Sequence, residues 1–352
     1  MGSDHVRSRS LVRVGLVALV GVAATVAVGL DRAHARTPRH NHAAHATPAR
    51  HHVVHGSSYH PLYAAIVVDD KSGEVLHQVN PDEPRHPASL TKIMTLYLLF
   101  EQLEAGNLKL DTQLPISREA SIQNPTKLGL KVGGTLSVED AVKGLVTKSA
   151  NDAAVVVAEA IGGSESEFAR LMTRKARALG MAGTTYVNAS GLPAEEQITT
   201  ARDQAILGRV IQHRFPDYYR YFATPSFRYR GTEMRNHNGL LGQVQGVDGI
   251  KTGYTEASGY NLVCSVRRGD RHIVAVVLGG TSNAARDARM RQLIEEHVVR
   301  AATQRTAPIL TEAVDNGIKP AVAATPAVST TPVSSGAALS TTRTVPVSAA
   351  AE

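Results

Sequence analysis

Three short segments of this 352-residue chain carry side chains that could do chemistry together. The first is Ser89-Leu90-Thr91-Lys92. A spacing of three puts the Ser89 hydroxyl and the Lys92 amine on one face of a helix start, where free N–H groups favour developing negative charge. A serine hydroxyl needs a base to become a nucleophile. Lysine is such a base only when burial or a neighbouring cation disfavours its ammonium form. The second segment, Ser149-Ala150-Asn151, falls between two predicted helices and offers a hydroxyl for proton transfer and an amide to grip a peptide carbonyl. The third, Lys251-Thr252-Gly253, ends a predicted strand, where glycine lets the strand edge approach a ligand backbone and Lys251 and Thr252 face it. Each segment alone has a plainer reading. Ser89 and Ser149 read as helix N-caps, Lys92 as a surface lysine and the third segment as a strand-end turn.

The elements that must position them follow from periodicity. Residues 63–69 and 74–79 read as a hairpin around Asp70-Lys71-Ser72-Gly73, and residues 246–253, 259–267 and 271–279 as three more strands. Between them lie predicted helices over 90–104, 138–146 behind Ser137, 152–161, 165–179 and 201–212 behind Thr200, with a last one over 284–302. Strands near both ends of a large soluble domain must find partners. The expected fold is therefore of the α/β class, α+β in type: one mostly antiparallel five-stranded sheet with flanking helices and an inserted helical lobe. A cleft between sheet edge and lobe is the natural site.

The ends read differently. Arg7, Arg9 and Arg13 precede an apolar run over residues 14–30 and the small-residue pattern Ala33-His34-Ala35, the layout of a secretory signal peptide over residues 1–35 or of a retained N-terminal anchor. Residues 36–57 are a His-rich linker, plainly solvated, although such tracts can bind divalent metal. Residues 58–302 are the folded body, and residues 303–352, rich in Ala, Pro, Ser and Thr, read as a disordered tail lacking the apolar stripe and basic face of a membrane-docking helix. Hydrophobic content of 43% excludes disorder throughout. With 38 basic against 31 acidic residues, 4% aromatics and no Trp, the chain does not read as a nucleic-acid binder, and its basic lean suits an anionic surface. The single cysteine, Cys264, forbids an intrachain disulfide and reads as a small core residue.

Taken in order, Ser-x-x-Lys, Ser-x-Asn and Lys-Thr-Gly form the signature of penicillin-binding proteins and class A β-lactamases. Ser89-Leu-Thr-Lys-Ile-Met-Thr, Ser149-Ala-Asn-Asp-Ala-Ala and Val247-Asp-Gly-Ile-Lys-Thr-Gly-Tyr-Thr resemble the low-molecular-mass D-alanyl-D-alanine carboxypeptidases, peptidase family S11. The resemblance extends to Asn188-Ala-Ser-Gly-Leu and Thr200-Ala-Arg-Asp. It implies a β-lactamase/transpeptidase-like fold and a serine carboxypeptidase without cofactor or metal. In that scheme Ser89 attacks the carbonyl between two terminal D-alanines of a peptidoglycan stem peptide, with Lys92 as base and Ser149 relaying the proton. Backbone N–H groups of Ser89 and Tyr254 form the oxyanion hole, and Asn151 binds the peptide backbone. Lys251, Thr252 and Gly253 engage the terminal D-alanine, and Lys251 helps keep Lys92 neutral. β-Lactam antibiotics are then trapped on Ser89. The implied setting is the periplasm or cell envelope, with membrane contact at most through the N-terminal segment.

Other readings compete. A DD-endopeptidase cutting crosslinks shares every motif. A β-lactamase needs a Glu followed four residues later by Asn before the third motif, and Glu159, Glu165, Glu167, Glu195, Glu196 and Glu233 all fail. A catalytically silent peptidoglycan-binding module predicts a broken motif, yet all three are intact. Of the lesser residues, Asn236-His237-Asn238 either lines the cleft or forms a turn. Arg286 reads as an exposed helix-start arginine, Asp203 as a helix cap behind Thr200 without chemistry, and Tyr218, Tyr219, Tyr221 and Phe222 as packing.

Overall fold

The computed structural model describes residues 60–310. The signal peptide or anchor, the His-rich segment and most of the expected tail lie outside the described residues.

The expected hairpin forms from β1 (Ala64–Asp69) and β2 (Val75–Val79). A 3-10 turn, Ala88–Leu90, leads into α1 (Thr91–Glu104). The lobe follows: β3 (Gln113–Pro115), α2 (Arg118–Ile122), β4 (Thr135–Ser137), α3 (Val138–Val146), α4 (Asn151–Gly162) and α5 (Glu165–Ala178). After α6 (Ala201–Arg214), α7 (Pro216–Tyr219) and a 3-10 turn, Arg220–Ala223, come the hairpin β5 (Ser226–Tyr229) and β6 (Thr232–Arg235). Then β7 (Val247–Thr255), β8 (Gly259–Arg268), β9 (Arg271–Gly280) and α8 (Asn283–Val298) close the body. The small two-stranded sheets β3–β4 and β5–β6 were not expected, because three or four residues give no alternation to read. The last helix stops at Val298, short of 302.

The five long strands form one antiparallel sheet in the order β2-β1-β9-β8-β7, so the two ends of the body meet where β1 pairs with β9, Ala65 opposite Val277. Side chains alternate between faces along a strand. Ala64, Ile66 and Val68 of β1 join the core shared with α1, α4 and α6, whereas Ala65 and Val67 join the core beneath α8. In β9, Val274, Val276 and Leu278 face the first core and Ile273, Ala275 and Val277 the second. Both faces are covered, which is why these strands read as unbroken apolar runs rather than alternating ones. On α8 the inward stripe is Met290, Leu293, Ile294 and Val298, at helical spacing. Truncating Leu293 to alanine would cost about 2–5 kcal/mol. Cys264 is buried in this second core, as a small hydrophobe.

Residues 303–310, expected as the start of the tail, lie against the β1–β2 turn. The N–H groups of Thr306 and Ala307 donate to the Lys71 carbonyl at 3.0 and 2.9 Å, and Arg305 donates to the buried Asp70 carboxylate at 2.7 Å.

Candidate active site

Five helices begin with a Ser or Thr whose side-chain oxygen accepts the N–H three residues on: Ser117, Ser137, Ser164, Thr200 and Ser282. The two helices that open on the chemistry-bearing motifs do not. Leu90 caps α1 and Ala150 caps α4, neither with a side-chain bond. The hydroxyls of Ser89 and Ser149 are thus not spent on capping, and the plainer reading of both is not realised.

Ser89 sits in the 3-10 turn ahead of α1, and Lys92 one turn on. The Lys92 side chain is fully buried, so its amine has only protein neighbours. Its Nζ lies 3.1 Å from Ser89 Oγ, 2.7 Å from Asn151 Oδ1 and 2.5 Å from the Ser190 carbonyl oxygen. Burial, and then the charge of Lys251, hold the Lys92 amine well below the ordinary lysine range, with Asp152 and Glu165 pulling weakly the other way. A hydroxyl and an amine whose charged form is disfavoured thus stand within hydrogen-bond reach of each other.

The turn that supplies the Ser190 carbonyl is built locally. Asn188 Oδ1 accepts from the N–H of Gly191 at 2.7 Å and of Ser190 at 3.2 Å, an Asx turn, and Glu165 anchors it by accepting from Ala189 N at 2.9 Å. Gly191 has φ +85°, and a Cβ there would stand 1.9 Å from the Ala88 carbonyl oxygen. Only glycine lets this turn press on the residue before the nucleophile. Sequence reading noted the Asn-Ala-Ser-Gly-Leu segment but not this role, which no local pattern announces.

Ser149 lies between α3 and α4 with φ +60°, and its buried Oγ has no hydrogen-bond partner among the described residues. Asn151 opens α4. Its Oδ1 accepts from Lys92, while Nδ2 donates to the Asn124 carbonyl at 2.9 Å, which leaves one N–H of the amide. Asp152, which the sequence marks only as a helix start, accepts the N–H groups of Leu128, Gly129 and Leu130 at 2.9, 2.9 and 3.1 Å and so fastens that loop.

β7 is the edge strand of the sheet, and its open side faces the Ser89 turn. A Cβ on Gly253 would meet Pro87 O at 2.9 Å and Ser89 N at 3.0 Å, so glycine is what allows the strand to lie this close. Thr252 and Tyr254 line the cleft. Tyr254 is half exposed and packs at a tilt against Tyr260, with ring centroids 4.3 Å apart. Lys251 is buried, its Nζ donating to Thr252 O at 2.9 Å, and burial followed by the charge of Arg286 brings it down to about 7. Arg286 is not the exposed residue expected: it is 3% accessible, lines the cleft, and is oriented by two bonds to Asp287 Oδ1 at 2.9 and 2.8 Å. A helix start tucked against β9 looks the same in sequence as one facing water. His237 also lines the cleft, whereas Asn238 turns inward to donate to Gly249 O at 3.1 Å. Asp203 accepts from Thr184 Oγ1, away from the cleft, and Phe222 and Tyr219 pack together.

The cleft encloses about 500 Å³ and gathers Ser89, Ser149, Asn151, Thr252, Gly253 and Tyr254 on its walls, with Lys92 and Lys251 beneath. Among the described residues no helix is long and apolar enough to cross a membrane.

Residues 57–282 match the family model described as D-alanyl-D-alanine carboxypeptidase, Peptidase S11. The chain is similar to D-alanyl-D-alanine carboxypeptidase DacC of Escherichia coli (strain K12), 38% identical over 238 residues, which are 66% of this chain and 60% of that protein. It is 31% identical over 249 residues to a D-alanyl-D-alanine endopeptidase of Pseudomonas aeruginosa, covering 68% of this chain and 78% of the other. Among solved structures, penicillin-binding protein D2 of Listeria monocytogenes in its cefotaxime-bound form superposes with a TM-score of 0.60 at 31% identity, over 66% of this chain and 95% of that one. The chain spans about 60% of the length of the carboxypeptidase relative.

Proposed function

The chain belongs to the D-alanyl-D-alanine carboxypeptidase family, peptidase S11, and on that premise we propose that it removes the terminal D-alanine from peptidoglycan stem peptides. The observation that carries the reading is the buried Lys92 amine 3.1 Å from Ser89 Oγ. Lys92 takes the Ser89 proton as Oγ attacks the carbonyl between the two D-alanines. The N–H groups of Ser89 and Tyr254 receive the developing oxyanion, which the close approach of Gly253 to Ser89 N supports. Ser149, whose hydroxyl has no other partner, passes the proton from Lys92 to the leaving nitrogen. D-Alanine departs, water attacks the ester with Lys92 again as base, and Ser89 regains its proton.

Asn151 holds Lys92 and offers its remaining N–H to the peptide carbonyl. Thr252 and Arg286 contact the terminal carboxylate, with Lys251 adding charge from behind. β-Lactams, which present an acyl group and a carboxylate at similar separation, acylate the same serine. This fits the relative's cefotaxime-bound structure. The work is placed in the periplasm or cell envelope, on a 58–302 catalytic domain preceded by an export signal.

Crosslink cleavage is the second reading, supported by the likeness to the Pseudomonas endopeptidase. Incubating the full chain with pentapeptide and with crosslinked dimer decides. D-Alanine release is expected. Dimer cleavage without D-alanine release would replace the carboxypeptidase reading, and neither product would reject both.

A further inference from the structure

Glu165 opens α5, and its half-buried carboxylate accepts the Ala189 N–H at 2.9 Å. The next carbonyl along, Ala189 O, accepts from Thr95 Oγ1 at 2.7 Å, and the one after it, Ser190 O, receives the Lys92 amine. Three successive peptide groups of the Asn188–Leu192 turn are thus clamped, by α5 on one side and α1 on the other.

What this clamp does for the amine follows from valence. An uncharged amine has two N–H groups and one lone pair. Asn151 Oδ1 and Ser190 O can only accept, so together they take both N–H groups. The lone pair is left facing Ser89 Oγ, 3.1 Å away, the direction a base must present to that hydroxyl. A Ser190 carbonyl that drifts frees the amine to turn its lone pair elsewhere.

Holding the turn needs only an acceptor, and a neutral amide would serve. A carboxylate is harder to keep here: burial, and then the carboxylates of Glu119 and Glu159, lift Glu165 above the usual carboxylate range. Its charge acts on a different group. Asp152 and Glu165 pull the buried Lys92 toward its ammonium form, against burial and the charge of Lys251. His237 on the cleft wall, which also feels the Lys92 charge, is brought down to about 4 by burial and the surrounding cations and so stays neutral while Lys92 titrates.

We propose that Glu165 is a positioning residue for the Lys92 base: its hydrogen bond aims the free amine at Ser89, and its negative charge sets the pH at which that amine becomes free. This rests on reading Ser89 and Lys92 as nucleophile and base.

Two variants separate the bond from the charge. Glu165→Gln keeps an oxygen for the Ala189 N–H and removes the charge, whereas Glu165→Ala removes both. The rate of Ser89 acylation by a fluorescent penicillin is followed against pH in the full chain and in each variant. In Glu165→Gln the acid limb should move to lower pH by roughly half a unit or more, a rise of about threefold at a fixed pH on that limb. In Glu165→Ala the plateau should fall by about tenfold or more, because the amine is no longer aimed. Lys251, lowered by burial and Arg286, titrates alike in all three, so the displaced limb reports Lys92. A purely structural role would lower the plateau without moving the limb.

An unmoved limb in Glu165→Gln overturns this role, and so does a wild-type plateau in a folded Glu165→Ala protein. If alanine prevents folding, the glutamine profile decides by itself. No adduct at all on the unaltered chain strikes the Ser89–Lys92 reading itself, and with it the role of Glu165.

Discussion

The amide oxygen of Asn151 lies 2.7 Å from the Lys92 amine nitrogen, although one residue opens α4 and the other sits in the first turn of α1. This contact joins the lobe to α1 and fixes where the Lys92 amine stands. It also makes the charge state of Lys92 depend on what occupies position 151.

Asn151→Asp places a carboxylate on the lysine and favours its charged form, so the free amine appears only at higher pH. The rate of Ser89 acylation by a fluorescent penicillin should fall at pH 7 by about tenfold or more and recover as pH rises. An unshifted pH profile would separate Asn151 from the base.

Ser149 carries two local costs, a left-handed backbone and an unpaired buried hydroxyl. Replacing it by glycine removes both, while alanine removes only the second. Turnover of D-alanyl-D-alanine peptide should collapse in both variants. Calorimetric melting should rank Ser149→Gly above Ser149→Ala by about 1 kcal/mol. Equal stability would show that the backbone at 149 stores no strain.

Lys251, at about 7, loses its charge as pH rises through neutrality. KM for a peptide with a free terminal carboxylate should therefore rise above pH 7, while the corresponding C-terminal amide shows no such rise. Because Arg286 is one cause of the lowered value, Arg286→Ala should raise KM overall and move the rising limb to higher pH. A limb that stays in place would uncouple the two cations.

Gly191→Ala puts a methyl group into the Ala88 carbonyl at a positive φ. Acylation of Ser89 should be lost together with about 2 kcal/mol or more of stability, measured by urea unfolding. Wild-type acylation in this variant would remove the Asn188–Leu192 turn from the account.

Much of this was legible in the sequence because the informative features are local. Apolar strand runs bounded by turn residues, the serine and threonine caps, and the i, i+3 spacing of Ser89 and Lys92 all act within a few residues. The five-stranded sheet followed from strands at both ends needing partners. What was hidden depends on distant packing. Lys92 is held by Ser190 from a turn almost a hundred positions away, Asp152 fastens a loop through three backbone N–H groups, and Arg286 is buried only because α8 folds back on β9.

The most direct measurement is intact-protein mass spectrometry of the chain after exposure to penicillin, followed by peptide mapping. One covalent adduct is expected, on the peptide containing Ser89, absent from a folded Ser89→Ala protein and formed far more slowly in Lys92→Ala. An adduct on another residue, or one that survives Ser89→Ala, would contradict the assignment of this hydroxyl and amine as nucleophile and base.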